Sequence, residues 1–185
     1  MRHSISCTVA AAIAGVASPA AADVTASSDA GFASHNEVLV AAEPQVAWEA
    51  LVRPGSWWNG EHTYSGDSDN MRIEATPGGC FCEVIPASSG EIEHMRVLYV
   101  VPGSTLRMSG GLGPLQSEAV TGVLTITLKP EGEMTRISWD YVVGGYMRTP
   151  MAQIAPIVDE VVGEQLLRLA TRLGTVMDPA PRRAP

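Results

Sequence analysis

The chain has 185 residues, of which 45% are hydrophobic, and its formal net charge at pH 7 is -8. This length and apolar content suit one domain with one buried core. Only one of the 12 basic residues, Lys129, is a lysine. A protein that binds nucleic acid or an anionic membrane surface needs clustered lysines and arginines, so both classes of partner are disfavoured.

The first 22 residues have the pattern of an export signal. Arg2 gives a positive start, residues 5–16 form a short apolar run, and residues 20–22 are small alanines before a polar stretch. The run is shorter than the about 20 apolar residues that cross a bilayer, so we expect cleavage near Asp23 rather than a retained anchor. We therefore expect a periplasmic or secreted protein with no integral membrane segment after cleavage.

Two short segments flank one predicted domain. Residues 23–33 are small and polar and are predicted to form a linker. Residues 177–185 contain three prolines, which remove backbone donors and clash with a preceding helical turn, so a disordered tail is predicted there. Residues 34–176 lie between them and are expected to form the domain.

The predicted elements of this domain begin with a strand at residues 36–41. A short helix follows from Pro44, because proline is tolerated in the first helical turn. Six further strands are bounded mostly by Gly, Pro, Ser or Asp turn residues and are predicted at 71–75, 79–85, 93–101, 105–109, 119–128 and 134–143. The last element is one long helix, in which apolar residues from Ile154 to Leu173 recur at three- and four-residue spacing. The order predicts an α+β fold in which a curved antiparallel sheet wraps around the long C-terminal helix.

Alternation along the last strand indicates which side faces that helix. Trp139 and Tyr141 share an apolar face, and Asp140 lies on the opposite, polar face. Two large amphipathic side chains on an inward face are strong candidates for binding a ligand, because their polar tips need partners inside a pocket. Plain packing in the core is the alternative.

The strand at 93–101 is harder to assign. Strict alternation places Tyr99 on the inward, apolar face and His94 on the outward face. A β-bulge would reverse this assignment. We adopt the alternating interpretation as the expectation.

The loop before the second strand concentrates aromatic residues in a chain that has only 5% of them. Trp57, Trp58, His62 and Tyr64 fall within nine residues. His62 and Tyr64 have the chemistry to polarise a carbonyl group together, with the imidazole as acid or base and the phenol as donor. The alternative is a structural loop that seals one end of the core, since aromatic rings are first of all large apolar surfaces.

Other candidate acid–base groups are Glu83, paired across strands with His94, and Asp140. Such cross-strand pairs are more often solvated contacts worth under about 1 kcal/mol. A metal site built from Cys80, Cys82, His62 and His94 has suitable atoms but no recognised zinc spacing, so no metal is predicted. No phosphate-binding glycine loop, nucleophile elbow or dinucleotide fingerprint is present in the sequence, and no cofactor is predicted.

Cys80 and Cys82 are the two cysteines that remain after removal of the signal. In a regular strand their side chains share one face but lie about 6 to 7 Å apart, which is too far for a disulfide. We therefore expect them to be unbonded, and a bond between them would require a distorted strand.

Several short motifs together resemble the helix-grip superfamily, also called SRPBCC or START-like. They are the aromatic pair at 57–58 with the segment 62–67, followed by the segments 77–79, 93–97, 102–106, 111–116 and 144–146. The superfamily includes lipid-transfer domains, polyketide cyclases and aromatases, pollen-allergen-like carriers and heat-shock ATPase activator-like proteins. An export signal is out of place in the activator-like group, because a periplasm lacks both the ATPase and ATP.

The resemblance, which covers about residues 34–176, implies a mostly apolar cavity between the sheet and the last helix. By position its lining would comprise Trp57, Trp58, His62, Tyr64, Tyr99, Met108, Leu124, Trp139, Tyr141, Val162 and Leu166. It is specific for the fold rather than for the activity, because this scaffold carries binding proteins, enzymes and protein cofactors alike.

From the sequence we expect an exported protein that binds a hydrophobic or aromatic small molecule in this cavity. One alternative is a cyclase- or aromatase-like enzyme that acts on a carbonyl substrate through His62, Tyr64, Glu83 or Asp140. Another is a protein-interaction module without a ligand. Ionisable groups that converge in the cavity would favour the enzyme, and a cavity filled by side chains would argue against both ligand-binding hypotheses. The sequence carries no signal for the oligomeric state.

Overall fold

A computed structural model of the protein describes residues 23–176. The expected export signal and the expected C-terminal tail lie outside these residues. The elements, in chain order, are β1 (Asp23–Ser28), β2 (Gly31–Val40), α1 (Pro44–Leu51), β3 (Met71–Ile73), β4 (Cys80–Ile85), β5 (Gly90–Val101), β6 (Thr105–Gly110), β7 (Ala119–Glu131), β8 (Met134–Tyr146), α2 (Met151–Leu173) and β9 (Thr175–Val176).

All nine described strands belong to one antiparallel sheet. Its order is β1-β2-β8-β7-β6-β5-β4-β3, and β9 pairs with the end of β2 that β1 leaves free. β1 and β3 form the two edges, so the sheet is open. The predicted antiparallel sheet followed by one long C-terminal helix is confirmed.

The segment predicted to be a linker forms a hairpin instead. β1 pairs with the first half of β2, with Val24 opposite Ser34 and Ser27 opposite Phe32. Its residues are small and polar and remain exposed from position 25 to position 30. Such a composition suits a solvated edge strand as well as it suits a linker, and only the pairing with β2 separates the two.

α2 covers the inner face of the sheet. Val158, Val162, Leu166 and Leu169 lie on one side of the helix and are at most 5% exposed. They meet the inward residues of β2 and β8 in a single hydrophobic core. The helix ends at Gly174, whose φ of 80° is the left-handed conformation that glycine adopts at helix C-termini.

β5 contains two bulges that change its alternation. The pairing with β4 shifts between Phe81 and Cys82, so that His94 has no direct partner. The pairing with β6 shifts again at Leu98. His94 is therefore buried, whereas Tyr99 is 48% exposed and lies under the Arg107 guanidinium at 5.7 Å. The predicted orientations of His94 and Tyr99 are both wrong, because each unpaired residue reverses the alternation that follows it.

The two cysteines of β4 lie next to the first of these bulges. Cys80 and Cys82 form a disulfide in the structure, with their Cα atoms 5.4 Å apart. The prediction that they are unbonded is wrong because it assumed the spacing of about 6 to 7 Å in a regular strand, and β4 is contracted between the two cysteines.

Candidate functional site

Large side chains fill the space between the centre of the sheet and α2. Trp139, Tyr141, Met108 and Leu124 all point inward, as predicted, and are at most 2% exposed. None of the four lines either of the two cavities described below. Their tight packing means that the deep cavity implied by the family resemblance is occupied by the protein's own residues at this point.

Tyr141 illustrates how closely this interior is fitted. Its ring lies over Gly122, where an added Cβ would come within 2.3 Å of a ring carbon. Its hydroxyl accepts a hydrogen bond from the Leu112 N–H and donates one to the Gly110 carbonyl, both at 3.3 Å. Burial raises the pKa of Tyr141 to about 12, so the phenol stays protonated and serves as a structural hydrogen-bonding group.

The open space lies along the N-terminal half of α2, next to this packed interior. A cleft of about 320 Å³ lies between the N-terminal half of α2, the turn that follows β6 and the segment 57–64, which we call the aromatic loop. We call it the aromatic cleft, and its lining residues are Trp58, Glu61, His62, Thr63, Tyr64, Leu112, Gly113, Pro114, Ile157, Val158, Val161 and Val162. Four of the predicted binding residues are among them, namely Trp58, His62, Tyr64 and Val162.

The loop wall of the cleft is fastened to α2 by polar side chains. The Asn59 N–H donates to Gln165 Oε1 at 2.8 Å, and its side-chain amide donates to Glu164 Oε1 at 2.7 Å. His62 Nε2 lies 3.0 Å from the other oxygen of Glu164. The Trp58 indole donates to the His62 carbonyl at 3.1 Å, which closes the loop on itself. These contacts keep an irregular segment in one arrangement.

Trp57 is buried behind the aromatic loop and is not exposed at the cleft. It is 4% exposed and donates from its indole to the Ala50 carbonyl at 3.0 Å. Its ring packs 5.9 Å from that of Trp139. Trp57 therefore connects the loop to the hydrophobic core, and it does not line the cleft.

Glu83 anchors the other end of the loop. It is fully buried and accepts hydrogen bonds from the N–H groups of Tyr64 at 3.1 Å and Ser65 at 2.5 Å. Its Oε2 also lies 3.0 Å from His94 Nε2. The predicted solvated contact between Glu83 and His94 is therefore a buried pair, because the bulge in β5 turns His94 inward.

The protonation of this pair follows from its surroundings. Burial raises the pKa of Glu83, but the hydrogen bonds from Ser65, Tyr64 and His94 outweigh burial and hold the pKa below its usual value. Burial lowers the pKa of His94, and the neighbouring carboxylate only partly opposes that effect. At neutral pH Glu83 is thus ionised and His94 neutral. Neither residue lines the cleft, although the rings of Tyr64 and His94 lie 5.9 Å apart.

Asp140 is separated from the other candidate acid–base residues. It lies on the outer face of the sheet, where it pairs with His35 at 2.7 Å, and its side chain is 52% exposed. Of the four catalytic candidates, the structure brings only His62 and Tyr64 to the cleft, with Glu83 buried behind them.

A second cavity of about 460 Å³ lies on the opposite flank of α2, next to β1 and β2. We call it the acidic groove, and it is lined by Val24, Asn36, Pro156, Asp159, Glu160, Gly163, Glu164, Leu166 and Leu167. At its base the Asn36 amide donates to Asp159 Oδ1 at 2.9 Å, and both side chains are buried. Asp159 lies between the apolar positions of the helix in sequence, which would place it on the solvated side. Its burial depends on Asn36, 123 positions away, for which the local pattern holds no signal.

Potential metal ligands converge at one place in residues 23–176. Sulfur atoms of Cys80 and Cys82 and a carboxylate oxygen of Glu93 lie within 4.8 Å of one another. The two sulfur atoms are bonded to each other in a disulfide, so neither is a thiolate that could bind a metal ion. His62 and His94 are not part of this group.

No helix in the described part of the chain is long and apolar enough to cross a membrane.

Comparison with known proteins supports the fold and names no activity. No protein-family model matches the chain, and no curated protein is significantly similar to it. Among solved structures, the Mll3558 protein of Rhizobium loti is 18% identical with a TM-score of 0.58, over 77% of this chain and 97% of that one.

Two further solved structures share this fold. CalU16 of Micromonospora echinospora is 14% identical with a TM-score of 0.53, over 82% of this chain and 78% of its own. The Aha1 dimer of Colwellia psychrerythraea is 13% identical with a TM-score of 0.53, over 75% of this chain and 93% of that one. At such low identity these likenesses show a shared fold alone, an antiparallel sheet with one long C-terminal helix.

Proposed function

We propose that the protein is an exported binding protein of the helix-grip, SRPBCC or START-like superfamily, and that it holds an apolar or aromatic small molecule in the aromatic cleft. The superfamily assignment is supported by the motifs in the sequence, by the sheet followed by a long helix, and by the likeness to CalU16 and Aha1. Export is supported by the signal pattern in residues 1–22.

The observation that carries the proposal is an apolar concavity left open to solvent. The N-terminal half of α2 contributes Ile157, Val158 and Val161 to the cleft, and the facing wall contributes Trp58 and Tyr64. Ile157 is 55% exposed and Tyr64 is 50% exposed. Small-molecule sites are concave and mainly apolar, with a few polar groups that fix orientation, and a volume near 320 Å³ is at the lower end of their range.

The packed interior supports this location of the site over the one that the sequence indicated. Trp139 and Tyr141 occupy the space between the sheet and α2, so an occupant there would have to displace large, well-packed rings. An occupant of the cleft meets exposed apolar groups that are already in place. Binding at the cleft is therefore favoured energetically.

The test is saturable binding of a neutral apolar fluorophore to the purified domain. We expect Ile157→Gln to weaken binding about three- to tenfold, because it removes apolar contact area from the cleft. Val46→Gln is the matched control, since Val46 also lies on a helix with its side chain 54% exposed but is not part of the cleft. Absence of saturable binding to the unsubstituted protein, or equal effects of the two substitutions, would contradict the proposal.

A cyclase- or aromatase-like enzyme is the second candidate, and one observation favours it. The His62 imidazole, paired with Glu164 at 3.0 Å, and the Tyr64 hydroxyl both belong to residues of the same cleft. A histidine oriented by a carboxylate is the usual arrangement of a general base. Solvent deuterium exchange at the α-carbon of an aromatic ketone, followed by NMR, tests it. Exchange that His62→Gln abolishes without loss of fluorophore binding would support the enzyme.

The location of the mature protein has its own test. We expect N-terminal sequencing of the exported protein to start at or near Asp23, where the small-residue run ends. Recovery of the full-length chain from the cytoplasm alone would contradict export without affecting the proposed binding site.

A further inference from the structure

We propose that the aromatic cleft selects ligands that carry a protonated amine beside their apolar or aromatic body, and that it discriminates against carboxylates. This inference rests on the proposed binding function and names the ligand class of the same site.

Carboxylates predominate in the lining of the cleft and of the neighbouring groove. The lining includes the carboxylate of Glu61, and Glu164 lies directly behind His62. The acidic groove on the other flank of α2 adds Asp159 and Glu160. Among residues 23–176, no lysine or arginine is part of the lining of either cavity. A ligand carboxylate would therefore enter a negative field without the basic partner that it requires.

Glu61 is the carboxylate best placed to meet a ligand cation. It is exposed at the cleft, and it forms no ion pair with any residue between 23 and 176. Its backbone N–H is bonded to Asn59 Oδ1 at 3.1 Å, which fixes the turn that carries it. Glu164, in contrast, is already engaged by His62 and Asn59.

The aromatic rings of the cleft complement this charge. Trp58 and Tyr64 are both among its lining residues. Trp58 is 7% exposed and packs against Phe81, whereas Tyr64 is 50% exposed, and the face of a phenol ring attracts cations through its quadrupole. Apolar side chains of α2 would accommodate the rest of the ligand. Aromatic rings, an unpaired carboxylate and an apolar floor are together the chemistry that recognises an amine with a hydrophobic body.

Arg168 is the basic group of α2 nearest to this region in sequence, and it is engaged by the backbone of the aromatic loop. Its guanidinium donates to the Trp57 carbonyl at 2.9 Å, at the foundation of the loop. It does not contribute to the lining of either cavity. Its charge is therefore held at the backbone of the loop, and in the described part of the chain it is not presented to a ligand at the cleft lining.

The test is displacement of the bound fluorophore by three ligands with one naphthyl body, namely 2-naphthylethylamine, 2-naphthylethanol and 2-naphthylacetate. We expect the amine to bind at least about fivefold more tightly than the alcohol, the effect of one partly screened charge pair. The carboxylate should bind more weakly than the alcohol. Added salt should reduce the differences, because it screens exposed charges.

Two charge-neutralising variants separate the local effect from the overall charge of the protein. Glu61→Gln should remove most of the advantage of the amine over the alcohol, and should change the affinity for the amine more than the affinity for the alcohol. Glu133→Gln is the matched control, because Glu133 is exposed on the β7–β8 turn, outside the cleft, and its substitution changes the net charge equally.

The outcomes distinguish this inference from the function on which it rests. Equal affinity for the three ligands, or the same loss of selectivity in both variants, would overturn the amine preference while leaving the cleft as a binding site. Failure of all three ligands and of the fluorophore to bind would overturn the binding function itself.

Discussion

The two halves of the sheet are built differently. β7 and β8 pair without a register shift from Ala119 opposite Tyr146 to Glu131 opposite Met134, and their inward residues form the core. β4 and β5 pair through a bulge, next to which lie a disulfide and a buried pair formed by Glu83 and His94. We refer to these as the regular half and the bulged half.

The bulged half is the one that supports the aromatic cleft. Glu83 holds the backbone of Tyr64 and Ser65, and the Phe81 ring packs 5.4 Å from that of Trp58. The regular half contributes packed apolar side chains and no lining residue of the cleft. The contrast indicates that irregular pairing in this fold is used to place polar groups beside the site, while regular pairing supplies stability. Five predictions sharpen or break this contrast.

The largest effect is expected in the regular half. Trp139→Ala should lower the free energy of unfolding by about 3 to 5 kcal/mol, because the indole is 1% exposed and packs against Trp57. Trp139→Phe, which keeps an aromatic ring, should cost clearly less. Denaturant unfolding measures both, and a loss under about 1 kcal/mol for the alanine variant would place this ring beside a void instead.

The next effect is expected at Glu83. Glu83→Ala should cost about 2 to 4 kcal/mol, because it leaves the N–H groups of Tyr64 and Ser65 and the His94 ring without their acceptor. Affinity for the fluorophore should fall as well, because Tyr64 forms part of the cleft. A stability loss with unchanged affinity would show that the bulged half does not control the site.

The same pair predicts a pH dependence with a definite sign. His94 has a lowered pKa in the folded protein, so its contribution to stability is present above about pH 6.5 and is lost as the pH falls below that. Glu83 also has a lowered pKa, so its contribution is lost at lower pH, from about pH 4.5 downward. Unfolding measured across this range should show both losses, and His94→Gln should remove only the first.

A smaller effect is expected from adding a methyl group to the regular half. Gly122→Ala should cost about 1 to 3 kcal/mol, because its Cβ would lie 2.3 Å from a carbon of the Tyr141 ring. Gly144→Ala is the matched control on the paired strand, since the nearest atom there is 3.5 Å away. Equal thermal stability of the two variants would contradict the close packing of Tyr141.

The smallest effect is expected from the disulfide. Cys80 and Cys82 are two residues apart, and a bond that closes so short a loop restricts the unfolded chain little. Replacing both by serine should therefore cost only about 1 to 2 kcal/mol. A mass measurement under non-reducing conditions should find two hydrogens fewer than in the reduced protein, within the peptide that contains both cysteines. Recovery of two free thiols from protein kept under oxidising conditions would contradict the bond.

How far the sequence predicts the molecule differs between the two halves. The alternation around Trp139 and Tyr141 was sufficient to assign their face, because regular pairing preserves a period of two. The orientations of His94 and Tyr99 were not predictable in the same way. A bulge adds one unpaired residue without a recognisable residue type at that position. A prediction from alternation therefore assigns the correct face only as far as the bulge.

The candidate site was predictable in its residues but not in its position. The sequence indicated Trp58, His62 and Tyr64 through the density of aromatic groups, and these residues do line a cleft. The family resemblance implied a cavity between the sheet and the last helix, whereas Trp139 and Tyr141 fill that space. Whether large side chains fill a cavity or border it depends on volumes in three dimensions, which a pattern of apolar positions does not encode.

Access to the cleft depends on how its two rims are joined. Among the described residues, the hydrogen bond from the Tyr64 hydroxyl to the Gly113 carbonyl, at 3.2 Å, connects the aromatic loop to the turn after β6. Because one exposed hydrogen bond contributes only about 0.5 to 1.5 kcal/mol, turning the Tyr64 side chain away from Gly113 should cost little free energy, while Glu83 continues to hold the Tyr64 backbone. Ligand entry should consequently be fast, and the residence time of a bound molecule should be determined by its contacts with α2 rather than by the opening of the protein.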